Sequence, residues 1–178
     1  MIRYSLTGES MAQTEARAIT IRPAVSEDAD AIARTFLESA SYHARLDPER
    51  YVVPAVETIS TRYRKGRQHS PEIGREGLTL VAELRGEIVG FIDARLESSL
   101  DAMHRDMIYC HIAEIVVSCQ HRKQGIGGEL LRAAEDWGRR HGAKFASLEY
   151  HAANTRASMF YQRHMGYRVA SMTAIKRL

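Results

Sequence analysis

The amino-acid sequence predicts an α/β (α+β) fold in which helices flank one mixed β-sheet. Three observations predict this class. Apolar residues recur at helical spacing between residues 29 and 40, and they alternate with polar residues between residues 78 and 96. An apolar run, a glycine-rich loop and an amphipathic stretch then follow one another from residue 107 to residue 141. The predicted order is β-α-α-β-β-β-α-β-α-β, with a sheet that is antiparallel first and partly parallel later.

The first half of the chain is predicted to contain one strand, two helices and a hairpin. A short strand over residues 19–22 precedes Pro23, and Ser26 caps the first helix, whose end is marked by Asp47 and Pro48. The apolar face of this helix consists of Ala29, Ile32, Ala33, Phe36, Leu37 and Ala40. A second helix is expected between residues 54 and 66. Alternating residues on both sides of a turn at residues 85–87 predict a hairpin.

The second half is predicted to alternate strands and helices. A long strand over residues 107–117 leads into the glycine-rich loop, and a helix then runs from near Gly128 to His141, where Gly142 ends it. A strand over residues 144–150 follows. The last helix is capped by Asn154 and ends at Gly166, and a final strand is expected over residues 167–175.

Composition indicates one globular domain over residues 18–178, preceded by a flexible lead at residues 1–17. The 178 residues are enough to bury a core, and 44% of them are hydrophobic and 26% charged. No apolar run approaches the roughly 20 residues that span a bilayer. Because the lead lacks the apolar core of a signal peptide, the cytoplasm is the expected compartment. Cys110 and Cys119 flank one strand and are expected to be free thiols.

The charge pattern does not demand a nucleic-acid partner. The net charge is only +3, and the positive residues do not form one tract. The densest group lies between residues 62 and 67 and is interpreted as a solvated helix face. A nucleic-acid-binding module that uses this group as its contact helix is a second alternative.

The loop at residues 122–128 has the properties of a diphosphate site. Glycines without Cβ atoms let backbone N–H groups approach a phosphate, and the following helix directs its positive dipole end to the same place. Two better-known glycine loops do not fit. No Lys-Ser or Lys-Thr pair follows the glycines, as a P-loop requires, and Leu130 stands where a dinucleotide fingerprint needs glycine.

The remaining pattern is R-x-x-G-x-G, formed by Arg122, Gly125 and Gly127. With its apolar flanks it resembles the acyl-CoA loop of the GCN5-related N-acetyltransferase (GNAT) superfamily. Asn154, then Phe160-Tyr161 and Gly166-Tyr167, are similar to the segment that closes the CoA-binding half of these proteins. Cys119 departs from the pattern, because such loops often carry proline there. The resemblance covers residues 112–169 and implies a GNAT-like, partly splayed sheet and acetyl-CoA as co-substrate.

The resemblance also implies the residues that hold this co-substrate. Backbone N–H groups at Val116 and Val117 are expected to face the thioester carbonyl. Asn154 is expected to contact the pantetheine arm or the adenosine side, besides its role as a helix cap. The pyrophosphate is expected at the loop formed by Arg122, Lys123, Gln124, Gly125, Ile126, Gly127 and Gly128. The alternative for the loop is a purely structural role as a tight turn between a strand and a helix, without a ligand.

Two side chains are candidates for catalysis. By resemblance, Tyr161 would protonate the departing thiolate, and Glu114 would deprotonate the amine through water. The alternatives are a core tyrosine and an ordinary strand carboxylate, and Glu149 and His151 are rival bases. No metal is predicted, because the spacing of the histidines at positions 104, 111 and 121 fits no usual site.

The sequence therefore predicts that the protein is an acetyl-CoA-dependent N-acetyltransferase. A primary amine of a small molecule or peptide is expected to attack the thioester directly in a ternary complex. A CoA-binding sensor or regulatory module without productive chemistry is the main alternative. No membrane partner is expected, and a homodimer is left open.

Overall fold

The computed structural model describes residues 19–65, 69–70, 75–98 and 105–177. The lead predicted at residues 1–17 lies outside these residues. The main sheet contains five strands in the order β1-β3-β4-β5-β6, and a two-residue strand, β2, pairs with β3. Their bounds are Ile19–Pro23 (β1), His69–Ser70 (β2), Arg75–Leu84 (β3), Glu87–Ser98 (β4), Ile108–Val117 (β5) and Phe145–Leu148 (β6). All pairs are antiparallel except β5 with β6, which are parallel. The predicted mixed sheet is confirmed.

The described residues form four α-helices beside this sheet. They span Ala29–Leu46 (α1), Val56–Arg64 (α2), Ile126–Arg140 (α3) and Thr155–Met159 (α4). A 3-10 turn, Ser26–Asp28, precedes α1, and a π-helical turn, Phe160–His164, continues α4. The helix after the glycine loop begins at Ile126, slightly earlier than predicted. None of the helices described here has both the length and the apolar character needed to cross a membrane.

The core lies on both faces of the sheet. On one face α1 and α2 bury Ile32, Ile59 and Tyr63 against Phe91 of β4 and Val116 of β5. On the other face α3 covers the sheet with its apolar side, on which Leu130, Leu131, Ala134 and Trp137 pack against residues such as Ile92 and Ile112. Both helix faces predicted from apolar spacing are therefore the buried ones.

A β-bulge interrupts β5 close to its end. The register pairs Asp93 of β4 with Glu114, but the next residue, Ala94, pairs with Ile112. Ala113 is thus an extra residue on β5. Such a residue changes the side-chain alternation of the strand.

The consequence is visible in what each side chain contacts. Ile112 before the bulge and Ile115 after it both pack in the cluster under α3, although they are three positions apart. Val116 packs in the cluster under α1 and α2. By alternation, Glu114 shares the face of Val116.

The strand predicted over residues 167–175 is not formed, and this prediction is wrong. No described residue after His164 belongs to a strand. Residues 168–177 are exposed, and the chain reaches an ion pair of 3.4 Å between Arg177 and Glu49. The backbone groups of a strand need a partner strand, and these residues have none among the described residues. The preceding strand is also shorter than predicted, since β6 ends at Leu148. Both cysteines are free thiols, as predicted.

Candidate active site

The two parallel strands separate before β5 ends. The pairing of β6 with β5 runs from Phe145, opposite Tyr109, to Leu148, opposite Ile112. β5 continues to Val117 with no partner from β6 beyond that point. The last residues of β5 therefore have one edge open, and this is the splay that the sequence could only suggest.

The hydrogen-bond pattern shows which backbone groups face the open edge. Ser118 N donates to Val89 O at 2.9 Å, so Ser118 belongs to a hydrogen-bonded pair with β4. In an antiparallel ladder the next residue back, Val117, then points its N–H and C=O away from β4. Arg122 Nε donates to Val117 O at 3.0 Å, which agrees with that orientation. By the same alternation, the backbone groups of Val116 point toward β4. Those of Ile115, a residue that sequence reasoning missed, face the open edge.

The glycine loop and the start of α3 meet this edge. Gly125 is the N-cap of α3 with a φ of +86°, and the space that a side chain would occupy there is empty. Gly125 O accepts hydrogen bonds from Gly128 N at 2.9 Å and Glu129 N at 3.2 Å. The N–H groups of Ile126 and Gly127 precede the first intrahelical bond and are available to an anion. Lys123 also has a positive φ, of 62°, and its side chain is exposed.

Arg122 is engaged within the protein. Besides its bond to Val117 O, its Nη2 lies 3.7 Å from Glu38 Oε2. Glu38, on α1, also accepts from Cys119 N at 2.7 Å and from Ser118 Oγ at 3.2 Å. Sequence reasoning missed Glu38, because 80 residues separate it from Ser118 and the spacing along α1 indicates only an apolar face.

The gap between the end of β5 with its loop and the segment from β6 to α4 is a cleft, and Asn154 lies on its α4 side. Its Oδ1 accepts from Ala157 N at 3.1 Å, which confirms the predicted cap. The hydroxyl of Tyr42, on α1, also donates to Oδ1 at a long 3.4 Å. α1 therefore contacts both the loop side and the α4 side of the cleft.

Phe160 and Tyr161 close the same cleft. A Cβ atom added to Gly127 would lie 3.5 Å from Cζ of Phe160 and 3.8 Å from Cγ2 of Val117. The structure therefore brings the loop, the end of β5 and the aromatic pair together. Tyr161 is buried, and its ring lies 5.6 Å from that of Tyr150. Burial raises the pKa of Tyr161 to about 12, and the negative charge of Glu114 adds to the rise.

Glu114 is partly buried beside a buried polar group. Its cross-strand neighbour Asp93 is 4% exposed and accepts from Tyr63 Oη at 2.8 Å and from Thr79 Oγ1 at 2.6 Å. Burial raises the pKa of Tyr63, and the charges of Asp93 and Glu114 contribute to that rise. Glu114 is thus near enough to influence both Tyr63 and Tyr161.

The rival bases are less favourably placed. Glu149 is exposed just after β6. His151 Nε2 lies 3.5 Å from Asp47 Oδ2, and its Nδ1 accepts from Ala153 N at 3.1 Å. Burial lowers the pKa of His111, whose Nδ1 lies 3.2 Å from Ser147 Oγ. Within the described part of the chain no three His, Cys, Asp or Glu residues form a metal-binding group, and the histidine at position 104 lies outside that part.

A row of aromatic rings connects the end of α1 to the segment after β6. The ring of His43 lies 5.3 Å from that of Tyr51, which lies 6.1 Å from the ring of His151. Tyr42 precedes this row, 5.7 Å from His43. The spacing along the chain gave no sign of this cluster, which borders the cleft next to Asn154.

Comparisons with known proteins agree with this geometry. A model of the acetyltransferase (GNAT) family matches residues 39–167. The uncharacterized N-acetyltransferase YhfO of Bacillus subtilis (strain 168) is 33% identical over 92 residues, which are 52% of this chain and 59% of that protein. The chain thus spans less than two thirds of the length of this relative.

Two solved structures show the same fold. A tetramutant of the BH1408 protein of Bacillus halodurans has a TM-score of 0.79 at 21% identity, covering 89% of this chain and 99% of that one. The aminoglycoside N-acetyltransferase AAC(6')-Iy in complex with CoA has a TM-score of 0.63 at 16% identity, covering 91% of this chain and 95% of that one.

Proposed function

Because the chain belongs to the acetyltransferase (GNAT) family, we propose that it transfers an acetyl group from acetyl-CoA to a primary amine. The observation that carries this proposal is the open edge of β5, which ends directly at a glycine loop and a helix N-terminus. This arrangement offers backbone donors for an extended, amide-containing chain and, beyond it, for a diphosphate.

The residues present fit CoA. Ile115 and Val117 offer outward-facing backbone groups to the pantetheine arm. The N–H groups at Ile126 and Gly127, with the exposed Lys123, suit the pyrophosphate. When bound, acetyl-CoA supplies an activated thioester. The protein would then orient its carbonyl toward the N–H of Val117 and exclude water with Phe160 and Tyr161.

Glu114 is the proposed base and Tyr161 the proposed acid, acting in a ternary complex without an acyl-enzyme. A phenol with a pKa of about 12 is a weak acid toward a thiolate, whose conjugate pKa is about 8.5. The charge of Glu114 contributes to that high pKa. When Glu114 accepts the proton of the amine, this charge is neutralised and Tyr161 becomes a stronger acid. The first proton transfer therefore favours the second.

The acceptor is proposed to be a primary amine of a small molecule or peptide. AAC(6')-Iy is an aminoglycoside N-acetyltransferase, and its similar fold supports an amine acceptor. The segment after α1 and the aromatic row next to Asn154 would line its site. The positive residues near α2 do not favour nucleic-acid binding, because the two arginines of α2 have partners within the protein. Arg64 pairs with Asp30 at 2.8 Å, and Arg62 lies over the Tyr63 ring. The cytoplasmic location and a homodimer stay predictions.

A thermal-shift experiment with acetyl-CoA tests the proposal first. A ligand at about 100 times its Kd stabilises the folded state by about 2.7 kcal/mol, so acetyl-CoA should raise the Tm clearly, while NAD and ATP should not. Gly127→Glu should abolish the shift by bringing a negative charge to the loop. Gly127→Ala separates the effect of a side chain at the loop from that of the charge, because a Cβ there meets only ordinary contacts within the protein and the variant should fold like the parent.

No shift with millimolar acetyl-CoA in the folded parent protein would refute the cofactor assignment. If acetyl-CoA binds, release of the CoA thiol is then measured against a panel of polyamines, amino acids, aminoglycosides and peptides. Binding without thiol release for any amine would favour the sensor alternative.

A further inference from the structure

The two walls of the cofactor cleft are not joined to each other by strand pairing. One wall is the end of β5 with its loop, and the other is the segment from β6 to α4. Among the described residues the ladder between β5 and β6 stops at Ile112 and Leu148. Side-chain contacts, such as the packing of Phe160 beside Gly127, must therefore fix the distance between the walls where CoA is proposed to lie.

α1 supplies contacts to both walls from one of its faces. Glu38 and Tyr42 are four positions apart, so their side chains project from the same side of the helix. Glu38 accepts from Cys119 N and Ser118 Oγ on the loop wall. One turn later the hydroxyl of Tyr42 donates to Oδ1 of Asn154 on the α4 wall.

Glu38 also acts on the open edge through Arg122. The guanidinium lies between Glu38 and the carbonyl of Val117, which it contacts through Nε. A carbonyl held in this way fixes the peptide plane that joins Val117 to Ser118, at the point where β5 passes into the loop. Because Glu38 offsets the charge of Arg122, the exposed Lys123 is the freer cation of the loop.

We propose that Glu38 and Tyr42 are positioning residues that set the separation of the two walls and thereby the affinity for CoA. This inference rests on the proposed function, because it concerns the same cofactor. It differs from a phosphate-binding role, since Glu38 carries the wrong charge to attract a diphosphate. It also connects the cofactor to α1, the helix next to the proposed acceptor site.

Three substitutions of Glu38 separate the effect of its side-chain length from the effect of its charge. Gln keeps the length and an acceptor oxygen, Asp keeps the charge but is one methylene too short, and Ala loses both. The Kd of CoA is measured by calorimetry for each variant, together with the Tm of the free protein. Loss of the contacts with Cys119 N and Ser118 Oγ, which only a side chain of this length reaches, predicts a Kd raised about tenfold or more for Glu38→Ala and Glu38→Asp. Glu38→Gln should stay within about threefold of the parent.

Tyr42→Phe should raise the Kd by only about threefold, because its hydrogen bond is long. Glu57→Ala, at an exposed position of α2, is the matched control and should bind CoA like the parent. The side chain of Glu38 is 34% exposed, so all variants should fold with Tm values close to that of the parent.

The outcomes are distinct. Parental affinity in Glu38→Ala, or equal losses in the Gln and Ala variants, would overturn the inference. Tighter binding in both the Gln and Ala variants would also overturn it, since Glu38 would then merely repel the diphosphate. If the parent itself fails to bind CoA, the proposed function fails instead.

Discussion

Replacing Tyr161 with Phe separates catalysis from packing at the centre of the cleft. The substitution removes only the hydroxyl group and leaves the ring between Tyr150 and Phe160. No described residue hydrogen-bonds to this hydroxyl, so its removal orphans no buried partner. The free energy of unfolding should therefore change by no more than about 0.5 kcal/mol.

The effect on turnover should be much larger. General acid catalysis typically contributes about 100-fold, which corresponds to about 2.7 kcal/mol of transition-state stabilisation. Because burial raises the pKa of Tyr161 to about 12, the parent hydroxyl stays protonated at every pH used in an ordinary assay. The loss in Tyr161→Phe should accordingly be similar from about pH 6 to pH 9.

The assay is thiol release at saturating acetyl-CoA with the best amine of the panel, next to a thermal-shift measurement of cofactor binding. Tyr109→Phe is the matched control, because Tyr109 stacks on Phe145 at the far end of β5. An aryl thioester has a more acidic leaving thiol, so with it the defect of Tyr161→Phe should shrink. Parental turnover combined with normal acetyl-CoA binding would refute the role of Tyr161 as acid.

Two further predictions concern carboxylates. Glu114→Gln should lower turnover by about 100-fold, chiefly at low pH where the amine most needs a base. If the pH profile of this variant overlays that of the parent, Glu114 is not the base. Arg22 holds the pKa of Asp28 below its usual range through a hydrogen bond of 2.7 Å, and Val25 N adds another of 2.9 Å. The contribution of Asp28 is therefore present above a pH of about 4 and lost as the pH falls through the folded pKa. Asp28→Asn should cost about 1.5–3 kcal/mol in urea unfolding at pH 7 and progressively less below pH 4, and a constant difference would contradict this.

Local patterns predicted most of the fold. The faces of α1 and α3, the hairpin and the cap at Asn154 follow from spacing and local chemistry, and the structure has them all. The prediction of the final strand is wrong because a strand needs a neighbouring strand, and residues 167–175 have none among the described residues.

The candidate site was predictable only where it is contiguous in sequence. The loop from Arg122 to Gly128 was recognised because its glycines follow one another. Glu38 and Tyr42 were not, because their partners lie 80 and 112 residues away. The choice between Val116 and Val117 also needed the register of β4 against β5, which no spacing within β5 reveals.

The extra residue at Ala113 has a consequence for how the chain tolerates change in length. Removing one residue there would restore strict alternation in β5. The pairs of Asp93 with Glu114 and of Ala94 with Ile112 would then follow one another directly, so every side chain of the strand would keep its face of the sheet. What would be lost is the local bend and the extra twist that a bulged residue gives to its strand. The faces of the side chains therefore do not fix the number of residues in β5, whereas the direction in which this strand delivers the chain to the glycine loop depends on Ala113.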